Sequence, residues 1–125
     1  MQKHKQWLLI AHDDLKASKI LCVEKLITIA SYHTQQCVEK ALKGFLALHK
    51  QPPRKTHDLI ELTKICMQFD VAFGVFLSTA VELSPYATAG RYPESGVEPL
   101  SSDDIQRAIQ EAEHVLHFVE QQDGL

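Results

Sequence analysis

The sequence predicts an all-α fold: an antiparallel up-and-down four-helix bundle with one additional short helix. Three observations carry that expectation. Apolar residues recur at spacings of three and four in several separate stretches, the signature of helices that bury one face. Those stretches are punctuated by prolines and by Ser, Thr or Asp residues placed to cap helix starts. No segment alternates as a strand would, and there is no repeat or low-complexity tract. At 125 residues the chain reads as one domain spanning 1–125, able to bury about two-thirds of its unfolded surface.

The first helix is expected over about Lys3 to Lys25, with Leu8, Ala11, Leu15, Ser18 and Cys22 on a narrow seam and Trp7 beside it. Small Ala11 and Ser18 let a neighbour approach closely. The β-branched run Ile27-Thr28-Ile29 lowers helix propensity, so Ser31 is the expected N-cap of a second helix running to Lys50. In that helix Thr34, Cys37, Val38, Ala41, Leu42, Phe45, Leu46 and Leu48 cover an arc of roughly 200°, too wide for one partner. Gln36, Glu39, Lys40, Lys43 and Lys50 make up its polar face, and the helix is expected to sit centrally, antiparallel to the first.

Pro52-Pro53 ends the second helix, because neither residue donates a backbone hydrogen bond. Thr56 is the expected cap of a third helix over about Asp58 to Phe69, burying Leu59, Leu62, Cys66 and Phe69. Asp70 caps a fourth, with Phe73, Phe76, Leu77, Ala80 and Leu83 inward, stopped by Pro85. A long irregular stretch through Arg91, Tyr92, Gly96 and Pro99 follows, and long loops in compact domains often carry function. Ser101 or Ser102 then caps a last helix whose apolar face is Ile105, Ala108, Ile109, Ala112, Val115 or Leu116, and Val119.

Composition narrows the function classes. No apolar run reaches the roughly 18 residues that span a bilayer, and Met1–Gln6 leads into an amphipathic pattern, so a cytoplasmic protein without membrane contact is expected. Cys22, Cys37 and Cys66 lie far apart on apolar faces and read as reduced core residues. The net charge of −3 argues against general nucleic-acid binding. It is unevenly spread: residues 1–55 carry ten Lys and Arg against four Asp and Glu, residues 56–125 three against twelve. A basic face on the first two helices suits a phosphate-bearing ligand, and equally suits pairing between the two halves or two copies.

Three segments carry a resemblance. They are Tyr32-His33-Thr34-Gln35-Gln36-Cys37-Val38-Glu39-Lys40-Ala41-Leu42-Lys43, Thr56-His57-Asp58-Leu59 after the proline pair, and Ala89-Gly90-Arg91-Tyr92-Pro93. In order and spacing the chain resembles the HEPN domain family of small helical, nucleotide-associated prokaryotic proteins. The resemblance implies the bundle already read from periodicity, a homodimer, and a small nucleotidyltransferase partner, in a toxin–antitoxin arrangement or as a substrate-presenting subunit. No cofactor and no metal are expected. Some members are similar to metal-independent endoribonucleases that use an Arg followed after four to six residues by a His; here Arg91 is followed by Tyr92-Pro93-Glu94-Ser95-Gly96-Val97-Glu98, with no His. Arg107 and His114 have six residues between them but lie on the last helix, beyond the family's position. The ribonuclease is therefore the alternative, and a nucleotide-associated binding module the main expectation.

Arg91, Tyr92, Lys40 and His57 are the candidate nucleotide contacts, with no catalytic residue assigned. Arg91 offers a planar fork to phosphate and Tyr92 a platform to a base; Arg91 equally suits a helix C-terminus, with Tyr92 closing the bundle end. Lys40 lies on the polar face of the second helix, where helical ion pairs also account for it. His57 begins the third helix, where exposed N–H groups favour an anion, and also suits a structural cap. Gln35 falls on the apolar side and, once buried, needs partners. His114 and His117, with Glu113 and Glu120 nearby, give only two convincing metal ligands, too few for a zinc site.

Overall fold

A computed structural model describes residues 1–88, 93–96, 98 and 100–123 of the chain. Every regular element among them is helical: α1 (Lys3–Val23), α2 (Ile27–Leu48), α3 (Leu59–Met67), a 3-10 turn Val71–Phe76, α4 (Leu77–Leu83), 3-10 turns Ser84–Ala87 and Pro93–Ser95, and α5 (Ser102–Asp123). The long helices α1, α2 and α5 pack against one another, and α3 with the broken segment Val71–Ala87 completes the bundle over α2. The all-α bundle read from the sequence is the fold.

The seam of α1 is as its spacing requires: Leu8, Ala11, Leu15, Ser18 and Cys22 are buried, and His4 extends it by a turn. Helix α2 starts earlier than the sequence suggests. It begins at Ile27, so Ser31 is no cap; buried inside the helix, its hydroxyl donates to the Thr28 carbonyl at 2.6 Å and lies 3.5 Å from that of Tyr86. The reason is the turn, since Lys25 takes the left-handed conformation at φ 65° and reverses the chain within residues 24–26. The propensity cost of three β-branched residues is small beside the packing they join.

The face assigned as polar on α2 also needs correction. Glu39 is fully buried and Lys43 nearly so, along with Thr34, Cys37, Val38, Ala41, Leu42, Phe45 and Leu46. Gly44 explains how α1 closes on this face: a Cβ there would lie 3.1 Å from Leu8 Cδ2 and 3.3 Å from Trp7 Cβ. Helix α2 is thus central and enclosed on nearly all sides, as its wide apolar arc implied.

Asp58, rather than Thr56, caps α3, accepting from the backbone N–H groups of Ile60 and Glu61. The Thr56 hydroxyl instead accepts from Asp58 N–H and donates to Glu61. Phe69 lies beyond the helix and is partly exposed, its ring 5.0 Å from that of His49. Asp70 does cap the next segment through Ala72 N–H, but Val71–Phe76 winds as a 3-10 turn, where Val71, Gly74 and Val75 are poor α-helix formers. Pro85 does not end the segment; it starts a further 3-10 turn, where a proline lacks no needed donor. Ser101 caps α5 in a reciprocal box with Asp104, at 2.9 and 3.1 Å, and the whole predicted apolar face of α5 is buried. Phe73, Phe76 and Phe118 stack edge-on between the 3-10 turn and α5.

Candidate functional site

The polar centre of the molecule is a carboxylate in the middle of α2. Glu39 Oε2 lies 3.0 Å from Lys43 Nζ one helical turn on, 3.3 Å from Lys40 Nζ, and 3.0 Å from Nδ1 of His57, which arrives on the extended segment after Pro52-Pro53. That segment keeps the chain from continuing as helix and returns it to the side of α2. Two of the four expected contacts, Lys40 and His57, are thereby brought together on one anion. The other two, Arg91 and Tyr92, lie outside the described residues.

Burial by itself would raise the Glu39 carboxyl, but hydrogen bonds from His57 and Lys43 and the charges of Lys40 and Lys43 outweigh it, so the group sits below its ordinary value and is ionised at neutral pH. Its other oxygen, Oε1, is buried and has no hydrogen-bond partner among the described residues. His57 meets Glu39 through Nδ1, and the rest of its ring faces outward on a side chain that is 76% exposed. Gln35, buried as its position required, donates to the His57 carbonyl at 3.5 Å and accepts from Gln36 at 2.7 Å, so a polar network links α2 to the head of α3.

The ammonium groups of Lys40 and Lys43 lie 5.9 and 5.7 Å from the centroid of the Trp7 ring, which therefore carries cationic charge at its surface. Beyond Lys43 a cavity of about 640 Å³ opens between the start of α1, the end of α2 and the proline pair. In the sequence Glu39 and Lys43 fall on the polar face of α2 and Trp7 beside the seam of α1, with nothing local that joins them. The i,i+4 spacing of Glu39 and Lys43 is visible in the sequence; their burial, with Trp7 beside Lys43 and His57 on Glu39, is not.

The remaining expectations resolve separately. Arg107 is held by Glu82 at 3.3 Å and Asp104 at 3.1 Å, so its guanidinium is engaged by carboxylates rather than by His114. No group of three or more His, Cys, Asp or Glu among the described residues is arranged to hold a metal, and His117 sits 3.4 Å from Gln121. A second polar layer joins α1 to its neighbours through Asp14–His33 at 2.8 Å, His12–Glu120 at 3.0 Å and Lys19–Glu113 at 3.2 Å. All three cysteines are free and buried; burial, reinforced by Asp14 and Glu113, pushes the Cys37 thiol up to about 12. No described helix is long and apolar enough to cross a membrane.

The HEPN domain model matches residues 4–122, almost the entire chain, including the Glu39 cluster just described. The chain belongs to the HEPN domain family. Two solved structures share its fold. One is ST0689, described as an archaeal HEPN homologue, with 24% identity, 98% of each chain covered and a TM-score of 0.78. The other is TT1696 from Thermus thermophilus, with 24% identity, 97% of this chain and 98% of that chain covered, and a TM-score of 0.80. No curated protein matches the sequence. Within this HEPN domain, Lys40, Lys43 and His57 meet on the single carboxylate of Glu39.

Proposed function

We propose that this HEPN-domain protein is a nucleotide-associated binding module, a homodimer working beside a small nucleotidyltransferase in a toxin–antitoxin pair or as its substrate-presenting subunit, without catalysis of its own. One observation carries the nucleotide reading: a fully buried Glu39 holds Lys40, Lys43 and His57 in fixed positions at the head of α3. Cations anchored in advance lose little side-chain entropy when they meet a phosphate. His57 and Lys40 are the contacts on this side, with Arg91 and Tyr92 supplying a second phosphate fork and a base platform. Support for a module rather than a nuclease comes from the sequence after Arg91, which lacks the His of the family's ribonuclease pair, and from Arg107, whose donors are occupied by Glu82 and Asp104.

Isothermal titration with ATP, ADP, AMP and GTP, beside an RNA-cleavage assay on the same preparation, tests the reading. Saturable nucleotide binding that falls in His57→Ala and Lys40→Ala, without cleavage, is the expected result. RNA cleavage that disappears in a folded Arg91→Ala variant would replace it with the endoribonuclease. Light scattering tests the dimer, and co-purification with a co-expressed nucleotidyltransferase tests the partner.

A further inference from the structure

The cavity next to the Glu39 cluster has a composition that the cluster does not explain. It is walled by Trp7 from α1, by Leu46 and Lys43 from α2, and by Pro52 and Pro53, with Lys3, Lys50 and Arg54 around it. None of its lining residues is Asp or Glu, although the chain as a whole carries more acid than base. Lys3, Lys50 and Arg54 form no ion pair with any described residue, while Lys43 reaches the cavity already anchored on Glu39 at 3.0 Å. Four cationic side chains from three separate pieces of chain therefore converge on one concavity with nothing of opposite sign in its wall. Like charges gathered in this way repel, and a bound polyanion relieves that repulsion.

The volume, about 640 Å³, lies within the range of small-molecule sites, and its lining includes the Trp7 side chain as well as apolar Leu46 and the proline rings. From this we infer that the cavity holds a nucleoside di- or triphosphate, its phosphates among Lys3, Lys43, Lys50 and Arg54 and its base against Trp7. The inference rests on the nucleotide reading above and deepens it, because it moves the phosphate-binding centre from the head of α3 to the gap between the α1 start and the α2 end. Lys43 is the residue common to both, lining the cavity and bridging to the carboxylate that holds His57 and Lys40.

Trp7 is the only tryptophan in the chain, so intrinsic fluorescence reads this cavity alone. The full chain is titrated with ATP, with inorganic tripolyphosphate and with adenosine, and calorimetry is run in parallel. The expected result is a saturable Trp7 signal with ATP, competition by tripolyphosphate, and binding of adenosine weaker by about tenfold or more, as loss of charge-assisted contacts requires. Lys50→Glu with Arg54→Glu, both at exposed positions, is expected to weaken ATP by at least about tenfold without altering the helical circular-dichroism signal.

ATP binding by calorimetry that leaves Trp7 fluorescence and the double variant unchanged, but is lost in His57→Ala, would overturn the cavity site and keep the nucleotide reading at the α3 head. Binding lost in the double variant but indifferent to His57→Ala and Lys40→Ala would keep the cavity and remove those two contacts. Adenosine binding as tightly as ATP would overturn the role of the cations. No binding of ATP or tripolyphosphate to the parent protein would overturn both readings.

Discussion

Replacing Glu39 by Gln keeps the shape of α2 and removes the one charge that holds Lys40, Lys43 and His57. Lys40 and His57 reach solvent, so losing their partner costs each of them little, as for exposed pairs. Lys43 is different: its side chain is 7% exposed, so in the variant an ammonium stays in the interior with only an amide to face it. Breaking a buried pair from one side costs about 3–5 kcal/mol; since the cavity gives Lys43 some route to water, about 3 kcal/mol is expected. In urea, with a slope of about 2 kcal/mol/M, the unfolding midpoint followed by circular dichroism at pH 7 falls by about 1.5 M. Adding Lys43→Met removes the stranded charge and returns at least about 1 kcal/mol of that loss. The pH dependence provides an independent arm. The folded Glu39 carboxyl lies below its unfolded value near 4.5, so its contribution is present above pH 4.5 and is lost as the pH falls through the folded value. Glu39→Gln therefore flattens the acid limb. A cost under about 0.5 kcal/mol, or a double variant less stable than the single one, would refute the account of Glu39 as the anchor of the cluster.

Three other outcomes are expected. Glu111 is pushed up to about 7, first by burial and then by Glu82, so the folded state holds a proton that the unfolded chain releases near 4.5; stability falls as pH rises from 4.5 to about 7, and Glu111→Gln removes that slope in a pH series of urea melts. Gly44→Ala gains about 1 kcal/mol of helix propensity, but its Cβ meets the Leu8 side chain at 3.1 Å and Trp7 Cβ at 3.3 Å, and overpacking of about 1–3 kcal/mol is expected to win, read as a lower melting temperature and a shifted Trp7 emission. The thiols of Cys37 and Cys66, both held up to about 12 by burial, are expected to resist an aromatic disulfide reagent at pH 8 in the native protein and to react fully in denaturant.

Helix positions and apolar faces were legible because they depend on local spacing. The seams of α1 and α5 follow from period alone, and so does the central place of α2, whose apolar arc was too wide for one neighbour. What escaped the sequence depends on how closely helices approach. Glu39 and Lys43 look like a surface pair until Trp7 of α1 and His57 close on them, and Trp7 looks like one more apolar side chain until two ammonium groups are found over its ring. Ser31 and Thr56 have the chemistry of caps, yet the tight turn at Lys25 and the better-placed Asp58 take those roles. Lys40 and His57 were found through a likeness of motif; their meeting on one carboxylate needed the path of residues 49–58 through space.

The turn at residues 24–26 also bears on the order in which the molecule assembles. Helices α1 and α2 can meet after closing a three-residue loop, whereas α5 can dock on them only when residues 49–101 have been gathered in, at an entropic disadvantage of about 2.5 kcal/mol by the logarithmic law of loop closure. A folding nucleus made of the α1–α2 hairpin, with α5 docking late, follows from that difference. Substitutions at Ala11 or Leu42 would then slow refolding, while those at Ile109 or Val115 would chiefly hasten unfolding.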